Sequence, residues 1–385
     1  MMILPKGWIT STVGNCATFL TGFPFASARY SDSGVRLVRG SNVKRGVLDW
    51  GLDITRYWPS KESGLSAFEL ANGDLVVAMD GALVGRSYAR ISPSDQPAYL
   101  VQRVARLRGL SIDQELLAQW IGSDRFVQHV DSVKTHTAIP HISPRDIRDF
   151  EICLPSSVIE QKRIAEALAD ADDLISTLSR VIAKKQGIGK GMMQQLLTGS
   201  IRLPGFTGAW NEARFGDVLA VRHGKSQKGV ESNDGEFPIL ASGGQIGWAH
   251  SPLYSKPSVL IGRKGTIDRP QYQARPFWTV DTLFYTEISP AADPRYLYYV
   301  FLTVDWRSMN EASGVPSLSA SRVESVVVQL PTIDEQRAIR AVLDDADAEV
   351  ALLRARLVKA KNIKKGMMQE VLTGRTRFPV SEAAA

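Results

Sequence analysis

The sequence predicts an α+β chain. Two globular blocks, residues 1–153 and 205–329, are joined by two long helices that form an antiparallel coiled coil, and the whole carries an internal pseudo-two-fold repeat. Three observations lead there. A segment in the middle of the chain returns near its end. Both copies place apolar residues at a sustained 3.5-residue period. The blocks between them hold short apolar runs broken by glycine turns.

The first block, 1–153, has strand-like runs at Val35–Arg39 and Leu75–Met79 and a short helix at Leu116–Ile121. Gly73-Asp74, Asp80-Gly81 and Gly85 supply its turns. A spacer, 154–204, follows. The second block, 205–329, has strand-like runs at Val259–Ile261 and Val326–Gln329 and a short helix at Arg295–Leu302. Its turns fall at Gly243-Gly244, Gly247 and Gly265. A second spacer, 330–379, and a tail, 380–385, complete the chain.

The spacers are the repeat. Residues 160–204 match 335–379 without gaps at 20 of 45 positions, far above chance. Upstream, Ile139-Pro140-His141-Ile142-Ser143 answers Val315-Pro316-Ser317-Leu318-Ser319, and Leu154-Pro155 answers Leu330-Pro331. Beyond that the blocks have diverged.

Ser157-x-x-Glu160 and Thr332-x-x-Glu335 read as capping boxes that start each helix. Thr198-Gly199 and Thr373-Gly374 supply glycine for a left-handed end. The first seam runs Ile164, Leu168, Ala171, Ile175, Leu178, Ile182, Lys185, Gly189, Met192, Leu196. The second runs Ile339, Leu343, Ala346, Val350, Leu353, Leu357, Ala360, Lys364, Met367, Val371. A helix over 160–197 is about 57 Å long, suited to a spacer. Each helix is acidic early (Asp170, Asp172, Asp173; Asp344, Asp345, Asp347, Glu349) and basic late (Lys184, Lys185, Lys190; Arg354, Arg356, Lys359, Lys361, Lys364, Lys365). An antiparallel pair sets each acidic half against a basic half. The symmetric register places Ile164 near Val371 and Leu178 near Leu357, and brings Asp170 toward Lys365 and Lys190 toward Asp345. Two independent helices, each packed on its own block with solvated charges, stay open as the alternative.

The chain has 385 residues, 44% hydrophobic and 22% charged, which excludes a long disordered chain. No apolar run is long enough for a membrane helix, and the N-terminus lacks a signal-peptide pattern. Cys16 and Cys153 cannot make a disulfide framework, so a reducing cytoplasm and buried thiols are expected. The net charge of +6 divides as +2, +2, 0 and +2 over residues 1–153, 154–204, 205–329 and 330–385, so no block is a basic tail and any nucleic-acid surface must come from local clusters. Arg39-Gly40-Ser41-Asn42-Val43-Lys44-Arg45 combines cations with an Asn able to read adenine. Arg222-His223-Gly224-Lys225-Ser226-Gln227-Lys228 does the same with Gln. Ser242-Gly243-Gly244-Gln245 and Arg263-Lys264-Gly265-Thr266 are small polar turns. Each cluster, taken singly, also reads as a solvated loop.

Catalytic signatures are missing. Gly224-Lys225-Ser226 lacks the first glycine of a phosphate loop, since Leu219 stands there. Gly187-x-Gly189-x-Gly191 lies inside the helix and reads as a soft spot in the coiled coil. No amino-methyltransferase N-P-P-[YF] motif occurs. Glu160-Gln161-Lys162 spells a nuclease-like E-x-K at a helix start, and its repeat reads Glu335-Gln336-Arg337. Five scattered histidines and two cysteines form no metal constellation. Met192-Met193 and Met367-Met368 read as packing residues or a partner face.

The repeated Leu-Pro…Glu-Gln-x-x-Ile (154–164, 330–339) and Lys-Gly-Met-Met-Gln…Leu-Thr-Gly (190–199, 365–374) resemble the specificity subunits of type I restriction–modification systems. Gly73–Gly85 is similar to a stretch in that family's first target-recognition domain, and Arg263–Ile267 to its counterpart in the second. Arg86, directly after the first stretch, joins the DNA-binding candidates. The resemblance implies that 1–153 and 205–329 are target-recognition domains. Each reads one half of a split double-stranded DNA target, and the helices set the distance between halves. It implies two modification subunits, which carry S-adenosylmethionine, and restriction subunits, which use ATP and Mg. The chain itself would be non-catalytic and would bind no cofactor. An enzyme with an unrecognised site and a coiled-coil scaffold without a DNA role are the alternatives.

Overall fold

The computed structural model describes residues 4–378; the tail 380–385 and the last spacer residue, 379, lie outside them. The chain falls into two compact units, Met1–Thr177 with Arg356–Ala385, and Leu178–Ala355. Each unit holds one globular block and one half of each long helix, so the helices do not form a unit of their own.

In the first unit, β1 (Trp8–Thr12) leads through a one-turn helix α1 (Val13–Cys16) to β2 (Ala17–Thr21). Then come β3 (Val35–Val38), β4 (Arg45–Gly46), β5 (Tyr57–Trp58), β6 (Leu75–Ala78), β7 (Tyr88–Arg90), β8 (Ala98–Leu100) and β9 (Val104–Gly109). Helices α2 (Gln114–Ile121), α3 (Asp124–Val133) and α4 (Pro144–Arg148) precede β10 (Glu151–Pro155) and the 40-residue α5 (Val158–Leu197). The strands make a five-stranded sheet β2-β9-β6-β7-β4, a three-stranded sheet β5-β3-β8, and a ribbon in which β1 pairs antiparallel with β10. β6 is buried along its whole length, as its unbroken apolar run requires.

The second unit repeats this order. It has β11 (Asn211–Arg214), α6 (Phe215–Val218), β12 (Leu219–His223), β13 (Phe237–Ala241), β14 (Gly244–Ala249), β15 (Ser258–Gly262), β16 (Gln271–Gln273), β17 (Trp278–Thr279) and β18 (Leu283–Ile288). Then follow α7 (Pro294–Thr303), α8 (Ala320–Glu324), β19 (Val327–Leu330) and α9 (Ile333–Val371). The sheets are β12-β18-β15-β16, β14-β13-β17 and the antiparallel ribbon β11-β19. Strand for strand, these are the sheets of the first unit without β4. β3 pairs parallel with β8, and β13 with β17. The duplication therefore extends through blocks whose sequences no longer show it.

Local chemistry explains the helix starts. Asp113 caps α2 by accepting from the Glu115 and Leu116 amides, and Asp293 caps α7 through Arg295 and Tyr296. Ser143 and Asp146 form a reciprocal box on α4, with Pro144 in its first turn. Gly199 and Gly374 end the long helices at φ 69° and 72°, the left-handed conformation that glycine adopts freely.

Burial along both long helices follows the 3.5-residue period. Ile164, Leu168, Ile182, Leu196, Ile339, Leu343, Ala360 and Val371 are buried. Ala171, Ile175, Leu178, Lys185, Gly189, Met192, Ala346, Val350, Leu353, Leu357, Lys364 and Met367 are half-buried. Full burial falls mainly where a globular block also covers the helix.

In the first unit, Ile164, Ala165 and Leu168 of α5 share one core with Val371 and Leu372, with Met367 and Met368 packed against it. In the second, Leu196 and Leu197 share a core with Ile339 and Leu343, joined by Met192 and Met193. Each fully buried leucine or isoleucine contributes about 1.5–3 kcal/mol. The early part of one helix lies beside the late part of the other in each unit, so the pairing is antiparallel and the helices are not independent.

The ion pairs partly correct the expected ones. Lys364 Nζ lies 2.6 Å from Asp172 and Lys185 Nζ lies 2.8 Å from Glu349, both across the helix pair. Lys365 instead reaches Asp124 of α3, at 2.9 Å, and not Asp170. Asp344 and Asp347 are taken by Arg295 and Tyr299 of α7. Among the described residues no ion pair joins Lys190 to Asp345. The globular blocks compete for helix charges that the helix pair was expected to use.

The capping-box reading is also corrected. The Glu160 amide does meet Ser157 Oγ, at 3.4 Å. Its carboxylate does not fold back; it is buried and held by Arg377 (2.8 and 2.9 Å) and Trp8 Nε1 (3.4 Å). Glu335 repeats this with Arg202 (2.6 and 2.8 Å) and Trp210 Nε1 (3.3 Å). The neighbouring glutamines are buried too. Gln161 accepts from the Asp113 amide and donates to Pro155 O, while Gln336 accepts from Asp293 and donates to Pro331 O. The repeated Glu-Gln pair thus docks each long helix to its globular block and closes onto the end of the other helix.

Candidate nucleic-acid interface

In both units the loops carrying the sequence-predicted residues gather at one rim. In the second unit the Val280 amide donates to Leu240 O (3.0 Å), Lys225 to Thr279 O (2.8 Å) and Arg263 to Thr282 O (2.9 Å). Those bonds bring together the ends of β12, β13, β15 and β17. Gly265 donates to Pro316 O (2.8 Å) and Leu318 to Arg263 O (2.9 Å), and the Ser242 hydroxyl lies beside Gly265.

The first unit builds the same corner. Val101 donates to Val38 O (3.1 Å), Met79 to Arg103 O (2.9 Å), Gly81 to Pro140 O (3.0 Å) and Ile142 to Met79 O (2.9 Å). The Pro-x-[Ile/Leu]-Ser segment shared by the two copies is therefore the clamp that holds a rim loop in each. Gly81 and Gly265 occupy matching places with φ of 101° and 86°, so the loop turns where only glycine is unstrained.

Lys225, Lys228, Lys264 and Gln245 of the second rim are exposed. Among the described residues none of the three lysines has an ion pair. Arg263 is half-buried, with Nη1 3.3 Å from Asp281 O. Gln227 and Ser242 are half-buried, and His223 is exposed with its ring edge-on to Phe284 at 4.9 Å. Unpaired cations beside glycine-bearing polar loops suit a phosphate-rich ligand, with Gln and Ser available to base edges.

The first rim departs from expectation. Asn42 is fully buried, with Nδ2 donating to Asp49 O (3.0 Å) and Oδ1 accepting from the Arg39 amide (3.2 Å). It shapes its own loop and cannot meet a base. Arg39 is likewise turned inward, its guanidinium donating to Ile54 O, and burial lowers its pKa. Lys44 lies 3.9 Å from Asp49. Arg86 pairs with Asp131 at 3.0 Å. Hydrogen bonds from Lys134 and Arg86 hold the Asp131 carboxyl below its ordinary range. Arg45 is exposed. Sequence reasoning missed Arg103, which is exposed on this rim. Among the described residues no three His, Cys, Asp or Glu side chains cluster in a way that could hold a metal ion, and no helix is long and apolar enough to cross a membrane.

Residues 208–362 match the type I restriction modification DNA specificity domain. The chain is 31% identical over 183 residues to the type I restriction enzyme EcoAI specificity subunit of Escherichia coli, spanning 46% of this chain and 30% of that protein. It is 23% identical over 285 residues to the MjaVIII specificity subunit of Methanocaldococcus jannaschii, spanning 63% and 65%. In fold it is similar to the type I restriction–modification S subunit from M. genitalium, with a TM-score of 0.67 at 16% identity over 95% of this chain and 96% of that one.

Proposed function

We propose that this chain is a specificity subunit of a type I restriction–modification system, as its matched domain and its relatives suggest, and that it reads double-stranded DNA sequence. Each unit presents its rim to one half of a split, asymmetric target. One observation carries the reading. Two units of the same strand topology hold their rims with the same backbone clamp, yet the side chains on the two rims differ. Same frame and different contents is what two readers of unlike half-sites require.

The long helices act as the ruler between half-sites and as the docking surface for two modification subunits. The two spacers share 20 of 45 positions, which suits two copies of one partner. Methyl transfer to adenine, with S-adenosylmethionine, belongs to those subunits. Cleavage, with ATP and Mg, belongs to restriction subunits. The chain itself performs no chemistry, binds no cofactor and works in the cytoplasm. Its contribution is affinity and register. Lys225, Lys228 and Lys264 contact phosphates, and Gln245 and Arg263 reach base edges.

The test is single-molecule sequencing of methylated adenines in cells with and without this chain. One bipartite motif should lose methylation when the chain is removed. An unchanged methylome in cells that express the modification partner would overturn the proposal.

A further inference from the structure

Arg103 is the one non-glycine residue with positive φ among the described residues, at 69°. An L side chain reaches that conformation only against a steric clash that glycine avoids. The residue sits in the turn between β8 and β9. The turn is pinned on both sides, by Val101 donating to Val38 O (3.1 Å) and by Met79 donating to Arg103 O (2.9 Å). Folding alone explains nothing about the side chain. It is exposed and, among the described residues, has no hydrogen bond, ion pair or ring contact. Glycine would serve the turn better.

The second unit shows what the arginine supplies. There the equivalent backbone bond runs from Arg263 to Thr282 O, at 2.9 Å. The two corners therefore match as hydrogen-bonded pairs, Met79 with Arg103 and Arg263 with Thr282. Each pair contains one arginine, contributed from opposite sides. In the first unit the position of Arg263 is held by the buried Met79, and the cation stands across the bond. Alignment cannot see this exchange, because the two arginines are not equivalent in sequence.

We infer that Arg103 contacts the DNA duplex at the first rim, in the place that Arg263 takes at the second. The inference rests on the proposed DNA-reading function. The strained backbone is retained because it aims a guanidinium fork at the ligand, and a directed fork recognises guanine edges or phosphates in two-point fashion.

The full-length chain, purified with the modification partner, is presented with a pool of random-core duplexes, and the enriched sequence is used as the probe. Arg103→Gly keeps the turn and removes both the clash and the fork. Its melting temperature should equal or exceed that of the natural chain, while affinity for the enriched duplex falls about tenfold. A residue that only shaped the turn would not separate stability from binding in this way. Wild-type affinity in a folded Arg103→Gly protein overturns the inference and leaves DNA reading intact. Failure of the natural chain to enrich any sequence overturns both.

Discussion

Removing Arg202 alone should destabilise the second unit more than removing Arg202 and Glu335 together. The Glu335 carboxylate is 3% exposed and accepts two bonds, at 2.6 and 2.8 Å, from a guanidinium that is 27% exposed. Trp210 Nε1 adds a third at 3.3 Å. Taking one partner from a buried pair strands a charge and costs about 3–5 kcal/mol. The partial exposure of Arg202 puts Arg202→Met at the lower end, about 3 kcal/mol. With a urea dependence of about 2 kcal/mol per M, the unfolding midpoint should fall by about 1.5 M. The double variant Arg202→Met with Glu335→Leu replaces both charges by apolar groups and should stay within about 1 kcal/mol of the natural chain. Urea unfolding followed by tryptophan fluorescence and circular dichroism reads both midpoints. A double variant at least as unstable as the single would refute the idea that this pair locks helix to block.

Other expectations follow from the same geometry. Leu168→Ala in the buried seam should cost about 2–5 kcal/mol, whereas Leu174→Ala, 53% exposed, should leave the urea midpoint unchanged. Asn42→Ala should lower the stability of the first unit by about 1–3 kcal/mol, seen as a lower urea midpoint before any DNA is added, because it orphans buried loop groups. Burial raises the Asp95 carboxyl pKa, but hydrogen bonds from Ser92 and Trp50 Nε1 outweigh it and hold the group below its ordinary range. Its stabilisation is therefore present above the unfolded value of about 3.9 and lost as pH falls through the lower folded value. Asp95→Asn should flatten that part of an acid titration followed by tryptophan fluorescence. Inserting four residues near Gly187 lengthens α5 by about 6 Å, close to two base pairs. Methylome sequencing should then show the same half-sequences with a longer gap, and an active, folded insertion variant that kept the original gap would count against the helices as ruler.

The seam was legible because a period of 3.5 depends only on residue type and spacing. Every position it named is shielded, and Leu174, Ile188 and Leu352, outside it, are exposed. Strands such as β6 and β15 were legible for the same reason, as unbroken apolar runs. The destination of a polar side chain was not. Glu160 looked like half of a capping box because Ser157 stands three residues before it; its true partner, Arg377, is 217 residues away. Asn42 has the chemistry of a base reader, but the loop between Arg39 and Asp49 has its own unpaired backbone groups and claims the side chain first. The common topology of the two units was hidden because sheets tolerate exchange of apolar residues, and only the backbone pairing records descent. Arg103 carries no signal in sequence, since a left-handed arginine cannot be told from any other.

The proposed reading of two half-sites by two blocks makes a single demand that measurement can meet directly. The block 1–153 is replaced by the corresponding block of another member of the family, with residues 154–385 unchanged, and methylated adenines are sequenced in cells carrying the chimera with its modification partner. The account predicts a methylated motif in which one half-sequence is new and the other is that of the natural chain. A chimera that is folded and active but changes both halves, or neither, would contradict it.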